Sequence, residues 1–408
     1  IYPSPVSLLI VDDDPVFAHY VRQLVSSLGN ELPCASEWAD SPEKAMAELE
    51  RIAYELVLLD YSLPGADGLE VLAQIRDLPP ERQPAVIMLT GSGNETVAVE
   101  AMKRGARDYL LKAGLDVHGL LRAVRSALAQ KQLADQVASC NAQARADLEM
   151  ARHLQQSLLP ASYPSFPRSA SPAESALRFC HRFCPASELA GDFFSVFPLS
   201  EARAGVFICD VMGHGVRSAL VTAMIRAMVD DAAARAADPG QFLGRINRRL
   251  AGLLKPADGP MFATAFYLAA DVAAGRLRYA GAGHPPPLHL QRRAGVVAPL
   301  QVSPRPGPAL GLFADATYAD GERTLAVDDV ILLFTDGLFE ATTAGGQEEY
   351  GQPRLLAAAR QHLHLPPPDL CDALIADVRA FAGGAAFSDD VCLLSIEIAR
   401  LHAGGAGT

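Results

Sequence analysis

Long apolar runs are missing from this sequence. No stretch approaches the unbroken length needed to cross a bilayer, and the opening IYPSPVSLLIVDDD lacks the basic start and cleavage pattern of a secretory signal. A cytoplasmic chain without membrane contact is expected. Positive charge is scarce too, with 35 Lys and Arg against 47 Asp and Glu and a formal net charge of −12. Such a chain offers no broad cationic field for a phosphate backbone, so no nucleic-acid partner is expected. Seven cysteines, an odd number scattered over 408 residues, do not read as a disulfide framework. Their one cluster, Cys180-His181-Arg182-Phe183-Cys184, has no second ligand pair at zinc-like spacing, and its alternation suits a strand. Also absent are G-x-S-x-G, a Walker A loop, H-E-x-x-H and a thiolate followed by a phosphate-binding arginine loop. These absences set aside four enzyme classes. What is present is half hydrophobic and a fifth charged, a globular balance, in a chain long enough for two or three cores.

From residue 7 to about 128, short β-branched or leucine-rich runs alternate with helical patterns. The strand candidates are Ser7–Val11, Cys34–Trp38, Leu56–Leu59, Ala85–Leu89 and Tyr109–Leu111. Five βα units imply a parallel sheet covered on both faces, with ligands at the carboxyl ends of its strands. Those ends carry Asp12 and Asp13, Asp60, Thr90 and Lys112. Clustered carboxylates suit a hard divalent cation such as Mg²⁺, and the ion and the lysine together neutralise a phosphoryl group arriving on the remaining carboxylate. A single Asp or Thr there would read as a turn former or helix cap. Five polar groups converging on one edge of the sheet do not.

VDDD at 11–14, LLDYSLPGADG at 58–68, the LTG turn and DYLLK resemble the response-regulator receiver family over residues 6–128. The resemblance implies a five-stranded flavodoxin-like α/β fold in which Asp60 is the phosphoacceptor. It further implies that Asp12, Asp13, Asp60 and Ser62 serve a Mg²⁺ ion, that Thr90 and Lys112 contact the phosphoryl group, and that Tyr109 is the aromatic switch residue. A sensor histidine kinase or phosphotransfer protein is the implied input partner. Ala113 departs from the pattern, standing where the family usually has proline.

Residues 129–160 are rich in strong helix formers and predict one long helix or two. Leu133, Val137, Cys140, Ala144, Leu148, Ala151, Gln155 and Leu158 recur at steps of three or four. The seam is compatible with a short coiled coil and homodimerisation, or with simple packing onto either domain. Residues 161–176 are a Pro/Ser-rich loop.

Beyond Leu177 the pattern changes to alternating runs: RFCHRF, GVFICDV, MFATAFYLA, GRLRYAG, DVILLFTDG and DVCLLSIEI. Antiparallel strands are expected, with helices near 216–236, 241–254, 352–363 and 369–382. Asp192, Asp210, Asp336, Asp389 and Asp390 fall where strands stop, beside a glycine or another acid. Isolated DG and DD pairs are ordinary turns. Several acids with no nucleophile triad point instead to a binuclear, oxygen-ligated metal site that activates water for phosphoryl displacement.

ARHLQQSLLP, LAGDFF, DVMGHG, YAGAGHPPP, GPALGLF, LLFTDGLFEA and FSDDV resemble type 2C metal-dependent protein phosphatases, in the bacterial branch of the sporulation stage II phosphatase. The resemblance covers about residues 150–398 and implies an α+β domain, an antiparallel β-sandwich flanked by helices, over residues 161–400. By it Asp192, Asp210, Asp336 and Asp389, with the Val211 carbonyl, hold two Mn²⁺ or Mg²⁺ ions, and Asp390 is a neighbour. His214 lies near the cleft without a catalytic role, and His284 organises a loop. Ala190, Ser195 and Cys392 depart from the usual residues. The implied activity is hydrolysis of phosphoserine or phosphothreonine on a protein, with a phosphorylated anti-sigma-factor antagonist as substrate. The chain also resembles the RssB type of pseudomonad regulator, whose adaptor role would make a sigma factor the bound partner instead.

Overall fold

The structure is a computed structural model that describes residues 5–29, 31–91, 95–254, 261–302, 307–343 and 346–401. It divides into two units, Ile1–Arg145 and Ala146–Thr408.

In the first unit, β1 (Val6–Val11), β2 (Cys34–Ala39), β3 (Leu56–Asp60), β4 (Ala85–Thr90) and β5 (Asp108–Leu111) form a parallel sheet in the order β2-β1-β3-β4-β5. The near-continuous hydrophobic runs of β1, β3 and β4 follow from burial on both faces, while the edge strands β2 and β5 are partly exposed. One face packs on α1 (Pro15–Ser27) and the start of α5 (Val117–Leu158) through Val21, Val25, Leu120 and Val124. The other packs on α2 (Pro42–Arg51) and α3 (Gly68–Arg76) through Ala45, Leu49, Leu72 and Ile75. Helix α4 (Glu95–Lys103) completes the set, and Ala101 joins the second core. Ser41 caps α2 by accepting from Lys44 N, with Pro42 in its first turn. A two-residue hairpin, Ser62–Leu63 against Ala66–Asp67, follows β3.

The expected linker is one uninterrupted helix. α5 runs 42 residues from Val117 to Leu158, so residue 128 falls inside it and marks no break in secondary structure.

The second unit is a four-layer sandwich. One antiparallel sheet has the order β13-β10-β9-β8-β7, from β7 (Asp192–Ser200), β8 (Arg203–Val211), β9 (Ala263–Asp271), β10 (Arg276–Ala282) and β13 (Gly321–Thr324). The other has the order β12-β11-β14-β15-β6, from β6 (Leu177–Cys184), β11 (Leu288–Gln291), β12 (Val296–Pro299), β14 (Val330–Phe334) and β15 (Val391–Ile398). Period-two alternation divides the side chains between layers. Phe194, Ile208, Phe266, Ile331, Leu333 and Leu394 fill the space between the sheets. Their neighbours Phe193, Phe207 and Tyr267 face α6 (Val216–Ala232) and α7 (Pro239–Leu253), meeting Ile225 and Phe242. On the opposite side Leu332, Phe334 and Leu393 meet α8 (Gly351–Gln361) and α9 (Pro367–Phe381) through Leu355 and Leu374. No helix among the described residues is long and apolar enough to cross a membrane.

The Phe242 ring is fully buried and lies 4.2 Å, centroid to centroid, from Tyr267. Phe242→Ala is expected to destabilise the second unit by about 3–5 kcal/mol, because the layer between sheet and helix cannot collapse onto the void. Urea unfolding should show this loss in one transition and leave the first unit's transition in place.

Candidate functional site

Two clusters of acids stand at strand ends, one in each unit. In the first, Asp12 and Asp60 are buried and Asp13 is exposed, and one oxygen of each lies within 4.8 Å of the others. Lys112 Nζ lies 2.7 Å from Asp12 Oδ2 and 2.8 Å from Asp60 Oδ2, and 4.5 Å over the Phe17 ring. Burial pushes the Asp60 carboxyl above its ordinary value, against the pull of Lys112. Burial also pulls Lys112 down, but the hydrogen bonds to Asp12 and Asp60 outweigh it and leave the ammonium above its usual range. The three carboxylate oxygens are a donor set that fits a hard divalent cation, with the Lys112 ammonium beside them as a second positive charge.

Neighbouring residues fix those acids by defined contacts. Asp14, the third acid of the run, caps α1 by accepting from Val16 N at 2.8 Å. Trp38 Nε1 donates to the Asp12 carbonyl at 2.8 Å. A side chain at Gly68 would collide with the Asp60 carbonyl, which explains glycine at the start of α3. The Ser62 amide donates to Asp60 and lowers its pKa, while the Ser62 side chain is exposed. Thr90 is buried at the end of β4, with its carbonyl accepting from Lys112 N at 2.8 Å. Tyr109 lies on β5, 42% exposed.

In the second unit, Asp192 and Asp210 are directly opposed on β7 and β8. Asp336 opens a 3₁₀ turn after β14, and Asp389 and Asp390 precede β15. Both sheets therefore deliver acids to the same end. Burial pushes Asp192 well above the carboxylate range, and Asp210 adds to it. Burial, then Asp336 and Asp389, push Asp210 from 3.8 up to about 7. Asp336 rises through burial and Asp389. Thr335 Oγ1 donates to Asp192 Oδ2 at 2.6 Å and accepts from Cys392 N at 2.9 Å, locking the buried acid across the two sheets. Among the described residues no three of these aspartates bring ligand oxygens within the 4.8 Å of one another that unites the first cluster. The mutual repulsion on an all-oxygen donor set fits hard divalent cations.

Asp390 has a different occupation. Its two oxygens accept from Ala186 N and Gly191 N, each at 2.7 Å, so it holds the loop that leads into Asp192. Any side chain at Gly337 would strike the Asp390 carbonyl, and one at Gly191 would crowd the Val211 carbonyl at 2.6 Å. The Val211 carbonyl thus lies against the Asp192 loop. His214 is exposed. His284 is buried, its Nδ1 lies 2.8 Å from Thr264 Oγ1, and burial lowers its pKa to about 3, which leaves a neutral ring unsuited to proton transfer.

The sequence reading missed three contributors. Thr335 lies inside FTDG, and Glu340, four residues after Asp336, is raised by burial and by Asp336. The third is Gln155. Its Nε2 donates to the Ala190 carbonyl at 2.6 Å and its Oε1 accepts from Ala190 N at 2.9 Å. Arg226 Nη1 on α6 donates to the Leu158 carbonyl at 3.1 Å, and Leu158 packs against the α6–α7 core. The last two positions of the proposed seam, Gln155 and Leu158, are therefore committed to the second unit itself.

Residues 8–125 match the response regulator receiver domain, and residues 200–399 match the stage II sporulation protein E (SpoIIE) family. The chain joins a receiver domain to a SpoIIE-type, type 2C phosphatase domain. The second match begins just after Asp192. The phosphoserine phosphatase RsbP of Bacillus subtilis is 28% identical over 213 residues, 52% of this chain and 50% of that protein. The phosphoserine phosphatase RsbU of the same organism is 28% identical over 219 residues, 54% of this chain and 60% of that protein. The chain thus spans half to three-fifths of the length of these relatives. The SiaA-PP2C domain of Pseudomonas aeruginosa superposes with a TM-score of 0.54 and 25% identity, over 64% of this chain and 99% of that one.

Without metal, the phosphatase domain should lose stability as pH rises. Asp210 keeps its proton in the folded state up to about 7, whereas the unfolded chain releases it near 3.8. The stabilisation from that extra proton is complete at the low end of this window and lost as pH passes about 7. Thermal denaturation in EDTA should show the decline. Asp210→Asn should flatten it and added Mn²⁺ should suppress it; an unchanged slope in the variant would remove Asp210 from the coupled set.

Proposed function

We propose that the chain is a cytoplasmic two-component output enzyme in which phosphorylation of Asp60 controls hydrolysis of phosphoserine or phosphothreonine on a protein. The carrying observation is the coupled set Asp192, Asp210, Asp336 and Asp389, buried enough to raise three of the acids and built from the ends of both sheets. These four, with the Val211 carbonyl, would hold two Mn²⁺ or Mg²⁺ ions. Bound cations there would supply a water of lowered pKa and charge to offset the phosphoryl oxygens. Thr335 fixes the Asp192 carboxylate, Asp390 fixes the 186–191 loop, and Glu340 adds negative charge beside Asp336. RsbP and RsbU are named phosphoserine phosphatases, which supports phosphoserine as the group removed, and we assign a phosphorylated anti-sigma-factor antagonist as the protein that carries it.

In the receiver domain, Asp12, Asp13 and Asp60, with Ser62, would hold Mg²⁺, while Lys112 and Thr90 receive the phosphoryl group supplied by a sensor kinase or phosphotransfer protein. Tyr109 is exposed and free to change its packing when Thr90 moves. Helix α5 provides a continuous path from this domain to Gln155, whose clamp on Ala190 reaches the residue before Gly191 and Asp192. A small change in the helix's rotation or register would act on a metal ligand through that clamp.

Asp210→Ala and Asp336→Ala should abolish Mn²⁺-dependent phosphoprotein hydrolysis while leaving Asp60 labelling by acetyl phosphate intact, and Asp60→Asn should abolish labelling alone. Turnover and labelling, measured with circular dichroism on the same samples, check this. Absence of hydrolysis by wild type in either receiver state would replace the enzyme with an adaptor that binds a sigma factor.

Leu133 and Val137 are 63% and 52% exposed on α5, spaced four residues apart, and they fit a helix–helix seam with a second copy. Leu133→Glu should therefore lower the molar mass seen by light scattering from dimer to monomer. A monomeric wild type at high concentration in both phosphorylation states would eliminate the seam.

A further inference from the structure

Strand β6 carries the cysteine cluster that the proposed hydrolysis leaves unused. Cys180 is half-buried on that strand, Cys371 is fully buried on α9, and each thiol is the strongest single influence on the other. Arg182 Nη1 donates to Cys180 Sγ at 3.3 Å. The same guanidinium is held in place by a two-pronged pair with Asp372, at 2.6 and 2.7 Å. Because Asp372 follows Cys371, one arginine braces both arms of the thiol pair. Ser395 lies opposite Cys180 on β15, donates to its carbonyl at 3.2 Å and hydrogen-bonds Cys371.

A guanidinium beside a reachable sulfur favours thiolate, the form that attacks peroxides. The hydrogen bond from Cys371, opposed by burial and aided by Arg182, brings Cys180 to about 6, well below an ordinary thiol. Cys371 itself stays protonated, raised by its bond to Cys180 and by burial. The cross-strand register sets Ser395 four residues beyond Val391, so the pair stands about 14 Å along the sheet from the acids that precede β15.

We propose that Cys180 and Cys371 form a peroxide-reactive dithiol, a modification site distinct from the aspartate cluster. The Cys180 thiolate attacks a hydroperoxide oxygen. The O–O bond breaks, hydroxide or alkoxide leaves, and a sulfenic acid forms at Cys180. The Cys371 thiol then attacks the sulfenyl sulfur, the S–O bond breaks, and disulfide and water are the products. Two electrons pass from the two sulfurs to the peroxide. The leaving hydroxide takes up the proton that Cys180 had earlier given to solvent.

The test treats the full chain, with Mn²⁺ present, with a few equivalents of hydrogen peroxide, blocks free thiols, and maps peptides by mass spectrometry without reduction. Wild type should yield a Cys180–Cys371 cross-link that dithiothreitol reverses. Cys371→Ser should leave a sulfenic acid at Cys180 that dimedone traps. Arg182→Gln, folded by circular dichroism, should slow Cys180 oxidation by about tenfold. Oxidation confined to the exposed Cys140, or over-oxidation of Cys180 without a cross-link in wild type, would overturn the proposal. Both outcomes are read on wild type, so they hold even where a variant misfolds.

Discussion

Repulsion between buried carboxylates organises this molecule. Isolated anions are expensive to remove from water, and pairs of them more so, unless a positive charge shares the space. In the receiver domain Lys112 provides part of that charge, at 2.7 and 2.8 Å from two acids. The second cluster has no such lysine among its described contacts, and there the acids rise, Asp210 to about 7. In both places burial and mutual repulsion leave acids that a bound positive charge would stabilise.

Backbone contacts keep these acids in place against their mutual push. Thr335 bridges Asp192 to the opposite sheet through Cys392 N, and Asp390 uses both oxygens to hold Ala186 and Gly191. Gly191 and Gly337 let main chains approach where any Cβ would collide. Each sheet therefore constrains the acids that the other carries. Gln155 extends this logic beyond the sheets, since its amide pairs with Ala190 as a neighbouring strand would.

Much of this was legible from residue order. All five receiver strands are found within a residue or two of their expected bounds; the central β1, β3 and β4 are fully or almost fully buried and leave unbroken apolar runs, and the edge strands follow from the βα alternation around them. The helices of the phosphatase domain were legible from their period, to within a few residues. Strand β7 was not, because Pro198 and Ser195 interrupt DFFSVFPLS and its inward and outward faces are both apolar near Phe193 and Phe194. Edge strand β13, GERT, carries almost no hydrophobic signal, and β11 and β12 are too short for a period to register. Gln155 was placed in a coiled-coil seam because spacing reports which residues share a helical face and not which surface that face meets. Asp390 was legible as an acid, but its role in holding a loop depends on amides nearly two hundred residues away.

Trp38 is the chain's sole tryptophan, and its indole is bonded to the carbonyl of Asp12. With 38% of its surface open to solvent, its emission responds to polarity on one side and to the acid cluster on the other. The phosphatase domain contributes tyrosines and phenylalanines but no indole. Red-edge fluorescence from the intact protein is thus an optical label written into the input domain alone. A ligand taken up at the Asp12 side of the sheet would be read there directly, against an output domain that is dark at the same wavelengths.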